Sequence, residues 1–285
     1  MDIREISAKS ILTNTSLKTA DYDFSINPYV GCRFGCIYCY ASFMGRFNGK
    51  KVSDWGEYVF AKVNAPELLE KELRKMKNKG KGKTIWFSSV TDPYQGLEAK
   101  YQLTRRCLAV LADFSFTGSV GVLTKSNLVL RDIDLFKRLD NPDVGLTITS
   151  TDDRVSQYFE KLAPPVSARL NALRDLNKAG FRTYAFLGPL LPHVLADEKA
   201  LERLFSAVAD TGNKEIYVEY LNVSPYILGR LQNELRGTDS TVMETYNLSK
   251  NKAFRREWDS VVIGLVKKYG FNLRFGGTLY HPEMN

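Results

Sequence analysis

Short runs of β-branched and aromatic residues alternate with stretches of helical spacing along most of the chain. Runs bounded by polar, Gly or Pro positions predict six strands, at residues 22–26, 84–88, 119–123, 144–149, 183–187 and 215–220. Apolar residues three and four apart predict helices at residues 66–76, 103–114, 133–139, 166–179 and 199–210. The pattern predicts an α/β protein whose parallel sheet is covered by helices and is either open or curled into a partial barrel.

The pattern changes after residue 220. Residues 1–220 contain all six strand–helix units, whereas residues 221–285 look mostly helical, with a short strand predicted at residues 272–275. No stretch rich in Pro, Gly or Ser separates the two parts. We therefore expect a C-terminal extension that packs on the core within the same domain and helps to close the mouth of the barrel.

Composition narrows the class of protein. The chain has 285 residues, of which 44% are hydrophobic, 25% charged and 12% aromatic, and these values exclude a disordered or collagen-like chain. No apolar run approaches the roughly 18 residues that a membrane helix needs. The first residues lack the basic end and apolar block of a secretory signal. The sequence predicts a cytoplasmic protein without a membrane partner.

Positive charge is concentrated in one segment. Residues 71–83 contain seven Lys or Arg residues and one acid, Glu72, and so carry +6 of the chain's net charge of +8. Such a segment attracts phosphate, but it is also typical of the solvated end of a helix. Because it precedes the second predicted strand, we expect it on the face away from the carboxyl ends of the strands. It is therefore weak support for nucleic-acid binding.

The polar segments that follow the strands are where a ligand is expected, because parallel sheets bind ligands beyond the carboxyl ends of their strands. The first such segment, residues 27–40, contains three of the four cysteines, Cys32, Cys36 and Cys39, with the spacing C-x3-C-x2-C. Gly31 and Gly35 let the backbone wrap around a bulky group. A disulfide framework is not expected in a cytosolic chain.

Three closely spaced thiolates suit an iron–sulfur cluster, in which each iron is held by one cysteine. Structural zinc normally takes four ligands, and the two histidines, His193 and His281, are remote in sequence. Three cysteines leave one iron of a four-iron cluster without a protein ligand. A substrate or cofactor can coordinate at that open position.

The cysteine spacing, the aromatic Tyr38 before the third cysteine and the position after the first strand resemble the radical S-adenosylmethionine (SAM) superfamily. Four segments in order, residues 27–41, 90–98, 123–135 and 147–169, resemble its spore photoproduct lyase-like branch, which is related to DNA-repair photolyases. The resemblance covers about the first two-thirds of the chain, as far as Pro192.

The resemblance implies a partial (β/α)6 barrel of the radical SAM type, a [4Fe-4S] cluster and S-adenosyl-L-methionine as cofactors. In that superfamily SAM chelates the open iron and is reductively cleaved to methionine and a 5′-deoxyadenosyl radical, which takes a hydrogen atom from the substrate. It also implies oxygen sensitivity and a reductant such as flavodoxin or ferredoxin.

The resemblance assigns roles to residues near the strand ends. Tyr38 is expected near the adenine of SAM, and Tyr40 is the expected catalytic residue, in hydrogen-atom return. Lys125 is expected to hold the methionine carboxylate, and Thr147 to contact the ribose. Each has a structural alternative: aromatic packing for both tyrosines, an ordinary surface position for Lys125 and an ordinary buried strand position for Thr147.

Further cofactor-binding residues follow from the same segments. Ser89, Thr91 and Asp92 are expected at the methionine amino group, although Asp92 followed by Pro93 is also typical of a turn. The resemblance places Arg169 in a carboxylate and ribose network or in a structural pair with Glu160. Leu187 ends the fifth predicted strand, where close approach of the backbone can seat adenine, although the position is also typical of a tight turn from strand to helix.

The fourth cysteine departs from the pattern of spore photoproduct lyases, which return a hydrogen atom from a cysteine outside the cluster motif. Cys107 shares a helical face with Leu103 and Leu111, so we expect a buried, inert thiol. This makes repair of a thymine dimer doubtful.

Three functions remain open. The favoured one is a radical SAM enzyme acting on a nucleic acid or nucleotide. The alternatives are radical modification of a peptide or protein side chain, and a non-catalytic regulatory protein that binds a cluster. The sequence predicts no oligomeric state.

Overall fold

The structure is a computed structural model that describes residues 1–15, 22–195, 197–236, 240–249 and 251–280. His281 and the last residues of the predicted extension lie outside these ranges. The strands are β1 (Asp2–Ile6), β2 (Leu12–Asn14), β3 (Phe24–Ile26), β4 (Tyr29–Val30), β5 (Tyr58–Lys62), β6 (Thr84–Phe87), β7 (Ser119–Thr124), β8 (Asn141–Thr147), β9 (Arg182–Leu190), β10 (Glu215–Tyr220) and β11 (Asn272–Leu273).

The larger sheet has the strand order β11-β10-β9-β8-β7-β6-β3-β2. Neighbouring strands from β3 to β11 pair in parallel, whereas β2 pairs antiparallel with β3 at one edge. The six predicted strands correspond to β3, β6, β7, β8, β9 and β10, so the predicted α/β fold class is confirmed. The strand at residues 272–275 is confirmed as a two-residue strand, β11.

The helices are α1 (Ala65–Leu73), α2 (Glu98–Tyr101), α3 (Leu103–Phe114), α4 (Ile133–Phe136), α5 (Asp153–Phe159), α6 (Val166–Lys178), α7 (Pro192–Leu195), α8 (Glu198–Ala209), α9 (Pro225–Glu234), α10 (Ser240–Leu248) and α11 (Lys252–Tyr269). The five predicted helices correspond to α1, α3, α4, α6 and α8. Pro66 lies in the first turn of α1, where a missing backbone N–H costs nothing. The region after residue 220 is mostly helical, as predicted. In the described ranges no helix is both long and apolar enough to cross a bilayer.

A second, three-stranded sheet has the order β1-β5-β4 and is not among the predicted elements. β1 is parallel to β5, and β4 is antiparallel to it. Three of the five residues of β1 are exposed, so its sequence lacks the apolar alternation that marks a half-buried strand. This small sheet supports β4, which leads directly into the cysteine loop.

Aromatic rings fill the interior below the carboxyl ends of the strands. The rings of Tyr22 and Trp86 stack at 5.7 Å, and Tyr184 lies between Trp86 and Tyr217 at 6.1 and 5.2 Å. Arg274 lies 4.5 Å over the Tyr184 ring, so the C-terminal extension contributes to the core. Its guanidinium binds both oxygens of one carboxylate, that of Asp143 at the start of β8, at 2.6 and 3.0 Å.

The basic segment at residues 71–83 lies at the amino ends of the strands. Lys83 precedes β6, and its Nζ is 2.7 Å from Asp23, which precedes β3. Lys79 Nζ donates to the carbonyl oxygen of Phe114 at 2.8 Å. The predicted position of this segment, away from the carboxyl ends of the strands, is confirmed.

Candidate active site

A cavity of about 320 Å³ opens at the carboxyl ends of the parallel strands. Every main-sheet strand from β3 to β10 sends residues to it, from its end or from the loop that follows. The lining residues include all three clustered cysteines and most of the predicted cofactor contacts: Cys32, Cys36, Tyr38, Cys39, Tyr40, Ser89, Thr91, Asp92, Lys125 and Thr147. The structure thus brings together residues from four separate segments of the sequence, at 32–40, 89–92, 125 and 147.

The cysteine loop starts at a glycine that the structure requires. Gly31 has φ of +80°, and a Cβ there would lie 2.4 Å from the carbonyl oxygen of Tyr58 on β5. Side chains from the next loop hold this one in place. Thr91 Oγ1 donates to the carbonyl oxygen of Gly31 at 2.5 Å, and Gln95 Oε1 accepts from the backbone N–H of Arg33 at 3.1 Å. The loop is therefore fixed by its neighbours before any ligand binds.

Cys32 and Cys36 are buried, and Cys39 is half-buried. Burial raises the pKa of all three thiols, that of Cys36 to about 12, and the nearby Lys125 opposes the rise at Cys36 and Cys39. Isolated thiols in this setting stay protonated at neutral pH. Metal binding reverses this, because a coordinated thiol loses its proton.

The three thiols do not form a site for a single metal ion. In the part of the chain that the structure describes, no three His, Cys, Asp or Glu side chains are arranged to hold one. A cluster needs no such convergence, because each of its irons takes one cysteine. The donor set, the cavity and the positive φ of Gly31 therefore fit a cluster held by Cys32, Cys36 and Cys39.

Lys125 is the cation of this cavity. Its Nζ lies 5.7 Å from the centroid of the Tyr38 ring. Burial opposes its charged form, yet the negative charges around it, that of Glu160 among them, raise its pKa above the ordinary value, so it stays protonated. A fixed ammonium here can bind the carboxylate of a ligand.

Asp92 has its oxygens occupied by the protein. Its Oδ1 accepts from Thr124 Oγ1 at 2.6 Å and from the Tyr94 N–H at 2.9 Å, and its Oδ2 accepts from the Lys125 N–H at 2.8 Å. This carboxylate thus joins the loops after β6 and β7 and positions Lys125. Its contact with the amino group of SAM stays a prediction.

The serines after β6 differ in what they offer to a ligand. Ser89 Oγ accepts from Asn27 Nδ2 at 3.2 Å. Ser88 also lines the cavity, has φ of +68°, and its buried Oγ has no hydrogen-bond partner among the described residues. A buried hydroxyl without a partner is costly and can be satisfied by a ligand. Sequence reasoning missed Ser88, although it lies next to the residues that were singled out.

Comparison with known proteins identifies the family. The model of the radical SAM superfamily matches residues 26–205. The chain belongs to the radical SAM superfamily. It is 32% identical over 277 residues to an uncharacterized protein of Methanocaldococcus jannaschii, covering 94% of this chain and 95% of that protein. It is 30% identical over 211 residues to a protein of Acidianus two-tailed virus, covering 70% and 67%.

The fold of this radical SAM enzyme is similar to that of spore photoproduct lyase, as the sequence segments indicated. The structure of that lyase complexed with dinucleoside spore photoproduct has a TM-score of 0.70, at 15% sequence identity, and the match covers 95% of this chain and 81% of the lyase. The similarity confirms the predicted fold type. The family implies SAM and an iron–sulfur cluster as cofactors.

A buried ion pair supports the cavity wall of this radical SAM enzyme. Glu160 accepts hydrogen bonds from the Tyr38 hydroxyl and from Arg169 Nη2, and both Glu160 and Arg169 are fully buried. Arg169 Nη1 also donates to the carbonyl oxygen of Thr147 at 3.3 Å. Arg169 does not itself line the cavity. Its predicted cofactor contact remains a prediction, and the geometry shows that it positions Tyr38 and Thr147 from behind.

Tyr40 and Leu187 occupy different settings. Tyr40 lines the cavity, is 42% exposed, and donates its hydroxyl to the carbonyl oxygen of Ser89. Leu187 is fully buried and does not line the cavity, whereas Gly188 and Pro189 after it do. The strand end predicted to seat adenine thus reaches the cavity through those two residues. The roles of Tyr40 and Leu187 stay predictions.

The C-terminal region supplies contacts that sequence reasoning left unassigned. Tyr226 and Arg230, both on α9, hold the cysteine loop by its backbone: the Tyr226 hydroxyl donates to the Tyr40 carbonyl oxygen at 2.9 Å, and Arg230 Nη2 donates to that of Cys36 at 3.2 Å. Leu279, bridged to Glu219 on β10, lines the cavity. No local motif marks these residues, because they act through backbone contacts made only in the folded chain.

Proposed function

We propose that this radical SAM enzyme holds a [4Fe-4S] cluster on Cys32, Cys36 and Cys39 and reductively cleaves SAM to act on a substrate that carries a nucleobase, either a nucleic acid or a nucleotide. The observation that carries the proposal is the convergence of the three clustered thiols, the Lys125 ammonium and the free Ser88 hydroxyl on one cavity. When bound, the cluster and SAM supply a 5′-deoxyadenosyl radical that removes a hydrogen atom from the substrate.

The residues of the chain bind and orient these groups. The Lys125 ammonium suits the carboxylate of SAM, and the Ser88 hydroxyl can accept a hydrogen bond from its amino group. Tyr38, held by Glu160, forms a fixed wall beside Lys125. Burial of the thiols keeps water away from the reacting groups, which protects a reactive intermediate from side reactions.

Aromatic side chains support a nucleobase as the substrate. Tyr22, Trp86 and Phe186 line the cavity, and the first two are stacked on each other. Bases stack on aromatic side chains with a gain of about 1–3 kcal/mol each. The similarity of fold to a lyase complexed with a dinucleoside points the same way. The basic segment at residues 71–83 lies at the amino ends of the strands, at the opposite end from the cavity. We therefore propose that the residues of the cavity, and not this segment, select the substrate.

The first test is cleavage of SAM by anaerobically reconstituted protein with dithionite, measured as 5′-deoxyadenosine by mass spectrometry. We expect Cys36→Ser to lose the visible absorbance of the cluster and to reduce cleavage to background. The matched control is Cys107→Ser, because that thiol is fully buried in α3 and does not line the cavity. Cleavage by Cys36→Ser at the wild-type rate would overturn the proposed cluster site.

The second test identifies the substrate class by isotope transfer. Deuterated nucleosides, nucleotides and short oligonucleotides are incubated with the enzyme, and deuterium is measured in 5′-deoxyadenosine. We expect transfer from at least one of these and reduced transfer in Trp86→Ala. Transfer from a deuterated peptide, with none from any nucleobase compound, would overturn the proposed substrate class.

A further inference from the structure

A second cavity, of about 260 Å³, lies behind the cysteine loop; we call it the back pocket. The loop residues that line it are Arg33, Gly35 and Ile37. They alternate with the loop residues that line the first cavity, which are Cys32, Phe34 and Cys36. Trp55 lines both cavities. A wall one chain thick therefore separates the thiols from the back pocket.

The back pocket has unpaired positive charge. Two of its carboxylates already have cationic partners: Glu234 is 3.0 Å from Lys161 Nζ, and Glu57 is 3.9 Å from the Met1 amino nitrogen. Across the described ranges, neither Arg33 nor Arg230 has a carboxylate within ion-pair distance, and Arg230 Nη1 is buried without a hydrogen-bond partner.

Apolar side chains lie exposed next to these arginines. Leu162 lines the back pocket and is 57% exposed, and Tyr158, whose hydroxyl donates to the carbonyl oxygen of Glu234, is 42% exposed. Arginine and exposed aromatic or aliphatic side chains in one patch are typical of the centre of a protein interface. The patch thus has the composition of a docking surface for a protein with the opposite charge.

We propose that the back pocket is the docking site of an acidic one-electron carrier protein that reduces the cluster. The inference rests on the proposed function, because it requires a cluster on the three cysteines. One electron passes from the reduced carrier to the cluster; the carrier is oxidised by one electron, and no bond is formed or broken. The side of the loop that faces the first cavity is reserved for SAM and substrate, so a carrier must approach from elsewhere.

The chemistry of the patch favours an acidic carrier over other partners. Opposite charges steer two proteins together and speed their association, and redox partners bind through small, transient interfaces. The basic segment at residues 71–83 carries more charge, but it lies at the amino ends of the strands, on the far side of the sheet from the thiols. It therefore provides a matched control with the same type of charge.

The test compares two double variants with wild-type protein. Arg33→Glu/Lys161→Glu reverses two charges at the back pocket, and Lys75→Glu/Lys81→Glu reverses two exposed charges on the basic segment. Binding of purified flavodoxin is measured by calorimetry at low and moderate salt. Cluster reduction by reduced flavodoxin is followed by the loss of visible absorbance, and dithionite serves as a reductant that needs no docking.

We expect the back-pocket variant to bind flavodoxin at least about tenfold more weakly and to be reduced by it correspondingly more slowly. Reduction by dithionite should be unchanged, and the basic-segment variant should match the wild type. Arg33→Lys keeps the charge and should keep wild-type binding. Equal losses in both double variants, no loss in either, or no reduction of wild-type protein by flavodoxin would each overturn the proposal.

The experiment separates the two proposals. If dithionite drives no SAM cleavage in wild-type protein, the proposed function fails, while the calorimetric comparison of flavodoxin binding still stands on its own. If dithionite drives cleavage but charge reversal at the back pocket leaves flavodoxin binding unchanged, only the docking site fails.

Discussion

Two fully buried glutamates in this protein bind the same kinds of partner and do different things. Glu160 accepts from Tyr38 and Arg169 behind the cavity wall. Glu98 accepts from the Tyr29 hydroxyl and from Arg131 Nη2, which is 2.7 Å away. Tyr38 lines the cavity, whereas Tyr29, on β4, belongs to a separate apolar cluster with Val59 and Ala61 of β5. A buried tyrosine–glutamate–arginine group therefore indicates a functional site only when one of its members reaches a cavity.

The two glutamates also differ in charge balance. Burial raises the pKa of Glu98, and the hydrogen bonds to it only partly oppose the rise. Burial has the same tendency at Glu160, but Arg169 and Lys125 outweigh it and lower its pKa below the ordinary value. Glu160 is thus stabilised as a carboxylate by two cations, one of which is the cation of the cavity.

The largest effect is expected from Glu160→Gln. It leaves the Arg169 guanidinium buried without a counter-ion, because Glu160 is its only carboxylate partner among the described residues, and breaking a buried pair costs about 3–5 kcal/mol. We expect a loss of that size in the free energy of unfolding from urea titration. We also expect a raised KM for SAM, because the single amide oxygen of Gln, when it accepts from Arg169, leaves the amide NH2 facing the Tyr38 hydroxyl. Unchanged stability would show that the pair is not essential to the wall.

A smaller effect is expected from Glu98→Gln. Arg131 also pairs with Asp132 at 2.7 Å and is 22% exposed, so it keeps a counter-ion when Glu98 is neutralised. We expect a loss of about 1–3 kcal/mol in the same titration, which is the cost of unsatisfied buried hydrogen bonds, and no change in KM for SAM. A raised KM here would contradict the comparison.

The pH dependence should have opposite signs at the two sites. The pKa of Glu160 is lower in the folded protein than in the unfolded chain, where it is about 4.5. Its contribution to stability is therefore complete above the unfolded pKa and is lost as pH falls through the folded pKa. The pKa of Glu98 is higher in the folded protein than in the unfolded chain. Its contribution to stability is therefore complete below the unfolded pKa and is lost as pH rises through the folded pKa. From about pH 7 to pH 4, the unfolding free-energy difference from wild type should narrow for Glu160→Gln and widen for Glu98→Gln. If the difference narrows for both variants or widens for both, the opposite pKa directions assigned to Glu160 and Glu98 are wrong.

The smallest effect is expected from Glu70→Gln, which removes the partner of Arg74 on the surface of α1. Both side chains are more than half exposed, and such pairs contribute about 0.3–0.5 kcal/mol. Urea titration should therefore place this variant within about 0.5 kcal/mol of wild type. It calibrates the two buried substitutions, because it removes the same negative charge from a solvated position.

The sequence carries enough information to predict the main sheet and the cysteine loop. The six strands have apolar runs because they are buried, and the spacing of Cys32, Cys36 and Cys39 is local. β1 could not be predicted, because its residues are mostly exposed and it is held by pairing with β5, in which each partner lies 56 positions later in the chain. Its role becomes visible only in the folded chain.

The residues of the candidate site likewise fall into those that the sequence predicts and those that only the folded chain reveals. Lys125 and Asp92 lie in segments with a recognisable pattern, and the structure brings them to one cavity. Ser88 stands out only when hydrogen bonds are counted, since its neighbour Ser89 has the same chemistry but already has a partner. Arg230 donates to a backbone carbonyl 194 positions earlier in the chain, which no spacing rule encodes.

The alternation of side chains along the cysteine loop has a practical consequence for spectroscopy. Residues 33 and 37 face the back pocket, whereas residues 34 and 38 face the first cavity, although at most five positions separate them. A spin label or fluorophore attached at residue 33 would report on events outside the wall, and an isotopic label in the ring of Phe34 would report on events inside it. Two probes one residue apart could therefore time the arrival of the proposed electron carrier and the binding of small molecules in the first cavity independently.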